Sequence, residues 1–76
     1  MSDLPAITYL KAITAFKRAG FREKEGREGR NPVILVKPGH RFHLSFHVHR
    51  KDVPRGLLRR LIRDAGLTEE QFIELL

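Results

Sequence analysis

Four histidines, His40, His43, His47 and His49, fall within ten residues of a 76-residue chain. Imidazole both gives and takes a proton near neutral pH, so such a cluster is a candidate for general acid–base chemistry. Metal ligation is the alternative. His47 and His49, two apart on an extended strand, project to one side at a workable chelate spacing. However, Arg41, Arg50 and Lys51 crowd the same stretch, and Asp52 is the only carboxylate near it in sequence. Three fixed cations oppose a divalent ion, and neither a metal nor another cofactor is expected. The chain has no Cys, which removes disulfides, Cys-ligated zinc, iron–sulfur clusters and thiol nucleophiles. Ser45 lacks the context of a nucleophile elbow, and the glycines form neither a P-loop nor a dinucleotide fingerprint.

The charge around the histidines is lopsided. The net charge is +6, yet all 15 Lys and Arg lie between Lys11 and Arg63, a stretch with only four acids and a charge of +11. Residues 64–76 carry −4. A basic body with an acidic end suggests a polyanion surface, most simply nucleic acid. Ten of the 15 cations are Arg, whose planar fork suits phosphate. A charged solubilising surface is the plainer alternative. No apolar run approaches the roughly 20 residues of a membrane span, and the N-terminus lacks a basic-then-apolar signal pattern. No membrane partner is expected, and a Cys-free chain of this kind fits the cytoplasm.

Positioning these side chains falls to one small domain, residues 1–76. From Ala6 to Ala19 the residues Ile7, Leu10, Ile13 and Phe16 form an apolar stripe widened by Ala12, Ala15 and Ala19, which predicts an amphipathic helix. Pro5 suits its first turn and Gly20 its cap, with Phe21 as the contact after the cap. Residues 21–26 predict a short edge strand. Pro32 to Lys37 is a β-branched run and predicts a strand. Arg41 to His49 alternates, with Phe42, Leu44, Phe46 and Val48 on one side and Arg41, His43, Ser45, His47 and His49 on the other. Asp52 is placed to cap the next helix, in which Leu57, Leu58, Leu61, Ile62 and Ala65 form the core side. Gly66 ends that helix. Thr68 to Gln71 matches a capping box, and a short helix carrying Phe72 follows. Phe16, Phe42, Phe46 and Phe72 take core-facing positions and Tyr9 a surface one, so no row of aromatics is left for base stacking.

The element order α-β-β-β-α-α predicts an α+β two-layer sandwich, with helices covering one face of a three-stranded antiparallel sheet and the histidines on the other. In this order the chain resembles the HicA family, also called YcfA-like, small RNA-cleaving toxins of bacterial toxin–antitoxin pairs with a double-stranded-RNA-binding-like fold. The resemblance is carried by His49, by Val53-Pro54-Arg55-Gly56, by the run from Leu57 through Ala65-Gly66-Leu67 to Phe72, and by Lys17-Arg18-Ala19-Gly20-Phe21. It departs from the family at the chemistry. Where the family has its catalytic histidine, in a Gly-Ser-His or similar triplet entering the second strand, this chain has Gly29-Arg30-Asn31-Pro32, which puts Asn31, or Pro32 with a one-residue shift, in the histidine's place.

The resemblance implies an endoribonuclease acting on mRNA and held by a HicB-like antitoxin. With Asn31 unable to titrate, the alternative is a non-catalytic module that binds RNA or the antitoxin through the same face. RNA cleavage through the 2′-hydroxyl needs a base for that proton and an acid for the leaving oxygen. If the chain cleaves RNA, His49 and His47 are the candidates, roughly 7 Å apart along a strand, with His43 in reserve and His40, in a turn, last. Arg50 and Lys51 would steady the developing charge. Candidate RNA contacts are Arg30, Arg41, His43, Arg50, Lys51, Arg55 and Arg59. For Arg59, Arg60 and Arg63 a solvated helix face is the alternative, and for Arg60 and Arg63 an equal one.

Overall fold

The computed structural model describes residues 4–76. Three helices, α1 (Tyr9–Arg18), α2 (Arg55–Asp64) and α3 (Glu69–Glu74), accompany three strands, β1 (Arg22–Glu23), β2 (Val33–Val36) and β3 (Leu44–Phe46). The strands form an antiparallel meander in the order β1-β2-β3. This is the α+β arrangement expected, and it is compatible with a double-stranded-RNA-binding-like fold. Alternation places Val33, Leu35, Leu44 and Phe46 in the core, while Ile34, Val36 and Ser45 face the other way. On the core side the sheet meets Phe16 and Ile13 of α1, Leu58, Leu61 and Ile62 of α2, and Phe72 of α3 in one apolar cluster. Phe16 is fully buried, with its ring centroid 5.1 Å from that of Phe72 and 6.2 Å from that of Phe21.

The helix ends follow the signals in the chain. Gly20 and Gly66 take positive φ, and in both cases the residue after the glycine donates back into the last turn, Phe21 N to Phe16 O and Leu67 N to Ile62 O. These are Schellman caps. The approach at Gly66 is close: a Cβ there would stand 3.3 Å from Cε1 of His40. His40 Nε2 donates to the Asp64 carbonyl at 2.6 Å, and its ring meets Phe21 edge-on. His40 is therefore a latch between the β2–β3 turn and the end of α2. The capping box at Thr68 and Gln71 is present in both directions.

Several expectations are corrected. α1 starts at Tyr9, not near Ala6. Thr8 is its cap, extended and with the hydroxyl accepting from Lys11 N, and residues 4–7 lie outside any helix. This lead pairs with the segment after β3 through a Thr8–Asp52 bridge and a Val53 N to Ile7 O hydrogen bond of 2.9 Å. Asp52 pairs here through its backbone, and because α2 begins only at Arg55 its cap position falls on Pro54, without a side-chain bond. With α1 starting three residues later, Tyr9 is buried against Phe46, while Leu10 is 71% exposed. Phe42 is 54% exposed rather than in the core, because regular β3 begins only at Leu44 and the alternation does not hold before it.

Candidate functional site

β3 also ends early, at Phe46, so His47 and His49 lie beyond the strand that was expected to carry them. What holds them instead is Asn31. Val48 N donates to Asn31 Oδ1 at 2.9 Å, and Asn31 Nδ2 donates to the Val48 carbonyl at 3.3 Å. The register explains the pairing. Leu35 faces Leu44 and Val33 faces Phe46, so Asn31 and Val48 are the next partners in that series. Ile34 accepts from Lys24 N on the β1 side, which leaves the alternate residues of β2 to bond toward β3. At Asn31 the carboxamide, one acceptor and one donor in a plane, takes the rung the backbone would otherwise supply. The clasped residue is the one between His47 and His49. Both histidines are exposed, and Val48 is half-buried.

Val48 and His49 turn the chain toward the start of α1. The His49 ring meets Tyr9 edge-on at 5.6 Å, and Tyr9 in turn stacks on Phe46 at 6.2 Å. His49 and Arg50, with Thr8, Tyr9, Leu10 and Val48, line a shallow groove of about 420 Å³. The Thr8–Asp52 bridge closes the far end of this segment onto the lead into α1. His49 is therefore held from both sides, by Asn31 before it and by Asp52 after it.

The remaining candidates are spread more widely than expected. Arg30 precedes Asn31, so the clasp brings the β1–β2 turn to the His47–His49 segment. That turn is braced by Arg27, whose Nη2 donates to the Pro32 carbonyl at 3.1 Å, and by Glu23, which accepts from Gly29 N. Arg50 and Lys51 continue from His49, exposed and without an ion-pair partner among the described residues. Arg41 and His43 lie at the opposite end of β3, roughly 20 Å and 13 Å from His47 by strand rise, so the four histidines do not form one row. Arg55 opens α2, and Arg59 Nε lies 3.6 Å from Glu69 Oε2. The residues brought together are thus Arg30, Asn31, His47, His49, Arg50 and Lys51. No three His, Asp or Glu side chains converge among the described residues.

Three contributors were missed in the sequence. Thr8 was a readable signal, a cap residue before a helical pattern, obscured by an apolar stripe that ran on through it. Tyr9 and the clasp depend on register and had no local signal.

The clasp makes a testable claim. Asn31→Ala loses two hydrogen bonds at an exposed position and costs about 1–2 kcal/mol. The Val48 amide should then exchange with solvent faster by more than the global loss of stability explains, as measured by hydrogen exchange. Unchanged protection of Val48 would refute the clasp.

Compared with known families, residues 11–67 match the model described as HicA toxin of bacterial toxin–antitoxin. A comparison with curated proteins finds no match. The matched stretch runs from α1 to the cap after α2 and contains every residue of the clasped segment.

Proposed function

Since the chain belongs to the HicA toxin family, we propose that it acts on mRNA as an endoribonuclease, with proton transfer carried by the clasped His47–His49 segment, and that a HicB-like antitoxin restrains it. One observation carries this reading: exposed His49 and Arg50 line one groove, beside exposed His47, on a segment fixed at Val48. In the proposed reaction the RNA 2′-hydroxyl attacks the neighbouring phosphorus, and a histidine takes its proton. The other histidine protonates the departing 5′-oxygen, leaving a 2′,3′-cyclic phosphate and a free 5′-hydroxyl. Arg50 and Lys51 supply positive charge where the phosphorane becomes more negative. His49 has the more defined setting, since its ring rests against Tyr9 and its neighbour Val48 is held on both polar atoms. On this reading residues 1–76 act as one domain in the cytoplasm, where mRNA is found. No helix among the described residues is long and apolar enough to cross a membrane.

Incubating purified protein with RNA at low salt tests the proposal. Cleavage should appear with cyclic-phosphate ends, and expression without the neighbouring reading frame should arrest growth. Intact RNA and normal growth would overturn the nuclease reading.

A specific observation favours a second reading. At the position where the resemblance places the family's histidine, Asn31 is committed to structure and cannot titrate. The chain would then bind RNA or antitoxin without cleaving. In that case affinity for RNA falls steeply as salt rises, in proportion to the number of phosphates contacted, while no product forms. Asn31→His separates the two readings further. If it cleaves where the parent does not, the parent is a binding module.

A further inference from the structure

Leu10 is the most exposed large apolar side chain among the described residues, at 71%. α1 buries Tyr9, Ala12, Ile13, Ala15 and Phe16, which leaves Leu10, Thr14 and Arg18 as a row at four-residue spacing on its outer side. Against this row runs a groove of about 440 Å³, with Pro5, Ala6, Ile7 and Leu76 completing its apolar wall. Leu76 is 40% exposed. Arg18 Nη1 donates to the Leu75 carbonyl at 2.7 Å, which pins the segment after α3 against α1 and so builds the far side of the groove. Leu10 also lines the smaller groove that holds His49 and Arg50. One exposed leucine thus forms the ridge between the two.

Charge narrows what can sit there. Among the described residues, the charged side chains lining the first groove are Lys11 and Arg18, Arg50 lines the second, and no acidic side chain lines either. An apolar wall offers a phosphodiester few donors, and cationic rims on two copies would repel one another. An amphipathic segment with leucine-like side chains on one face and carboxylates beside them meets both the wall and the rim. We infer that the Leu10 ridge is a docking surface for an acidic amphipathic helix of a partner protein, with its apolar side chains in the groove between α1 and Leu76 and its carboxylates against Lys11 and Arg18. A helix seated over Leu10 also reaches the mouth of the His49 groove, so docking and access to that groove are linked. Pro5, Ala6, Ile7, Leu10 and Leu76 lie outside the stretch that matches the family model. Naming the partner as the antitoxin rests on the toxin–antitoxin reading above; the surface itself does not.

The probe is a helical peptide of roughly 15 residues with leucines at i, i+4 spacing flanked by glutamates, titrated into isotope-labelled protein. Amide shifts should be confined to residues 5–18, 48–50 and 75–76. A lysine-for-glutamate version should bind about 10-fold more weakly, and Leu10→Glu should weaken the parent peptide about 10-fold or more. Leu10→Glu should remain folded, because the position is exposed and the first turn of α1 has no acid to balance its dipole. No binding, shifts elsewhere or an unchanged affinity for Leu10→Glu overturns the inference. A dimer abolished by Leu10→Glu would assign the ridge to a second copy, and RNA affinity lowered by it without peptide binding would assign the ridge to RNA; either outcome overturns the inference. Co-expression with the neighbouring reading frame separates surface from pairing. Capture of that product by the parent but not by Leu10→Glu supports both. Equal capture overturns the surface and leaves the pairing. Capture by neither, with the peptide bound, supports the surface and removes the antitoxin as its occupant.

Discussion

With His49 replaced by alanine, RNA cleavage falls about 10²–10⁴-fold, the usual loss when a general acid or base is removed. The expectation rests on position. His49 lines a groove with Arg50, its ring meets Tyr9, and its segment is tied to Asn31 at one end and to Thr8 through Asp52 at the other. An exposed side chain can be truncated here without opening the core, so the thermal midpoint should stay close to the parent's, and the rate should carry the effect. His47→Ala should lower the rate to a similar degree if the two histidines divide the roles of acid and base. His43→Ala should leave it near the parent's, because His43 lies beyond the other end of β3. Single-turnover cleavage of one defined RNA by the three variants distinguishes these outcomes. A His49→Ala protein that is folded and cleaves at the parent rate removes the assignment and leaves the binding module as the better account.

Phe16→Ala should cost about 3–5 kcal/mol, the range for truncating a buried aromatic. Its ring has no exposure and joins two others, Phe21 after the α1 cap and Phe72 of α3. A chain of this length has a total stability on the order of 4–11 kcal/mol at ordinary values per residue. One substitution therefore removes a large share of it, and at the low end leaves the chain mostly unfolded. The loss also acts at a distance, since α1 carries the Tyr9 surface on which His49 rests. Urea denaturation followed by circular dichroism measures it as a lower midpoint with little change in slope. A midpoint within error of the parent's would show that the three rings do not form the centre of the core.

These expectations draw on two kinds of information, and the division can be seen residue by residue. The helices, the β-branched second strand and the α+β class were legible because each is a local or short-period pattern. Gly20 and Gly66 were legible as caps because positive φ is a property of glycine itself, and Thr68 with Gln71 because a capping box closes within one turn. The family resemblance was likewise an order of local motifs, and a match over residues 11–67 bears it out. Asn31 was singled out through that resemblance alone.

What Asn31 does was not legible. Its partner Val48 is seventeen residues away, and the bond exists only because β2 and β3 pair in one register. Alternation from Arg41 to His49 predicted one long strand with four side chains in the core. Period two states which residues share a face, but it does not say where neighbouring backbone is available to extend the ladder, and here the ladder stops at Leu44 and Phe46. Phe42 is left outside, and His47 and His49 are carried by a side-chain rung instead of a strand. The start of α1 was misplaced for a related reason. Ala6 and Ile7 fit a helical stripe, yet the Ile7 carbonyl accepts from Val53 N, and that long-range pairing holds the lead outside the helix until Thr8 caps it. With the start delayed by three residues, Tyr9 lies inward and Leu10 outward, and these set the floor of one groove and the ridge between two. By itself the sequence determined the elements, their caps, the surplus of positive charge and the family, since all are written in nearest neighbours and composition. Tertiary structure alone decided which histidines flank the clasp and which leucine is left exposed, because both depend on hydrogen bonds and packing between segments far apart in the chain.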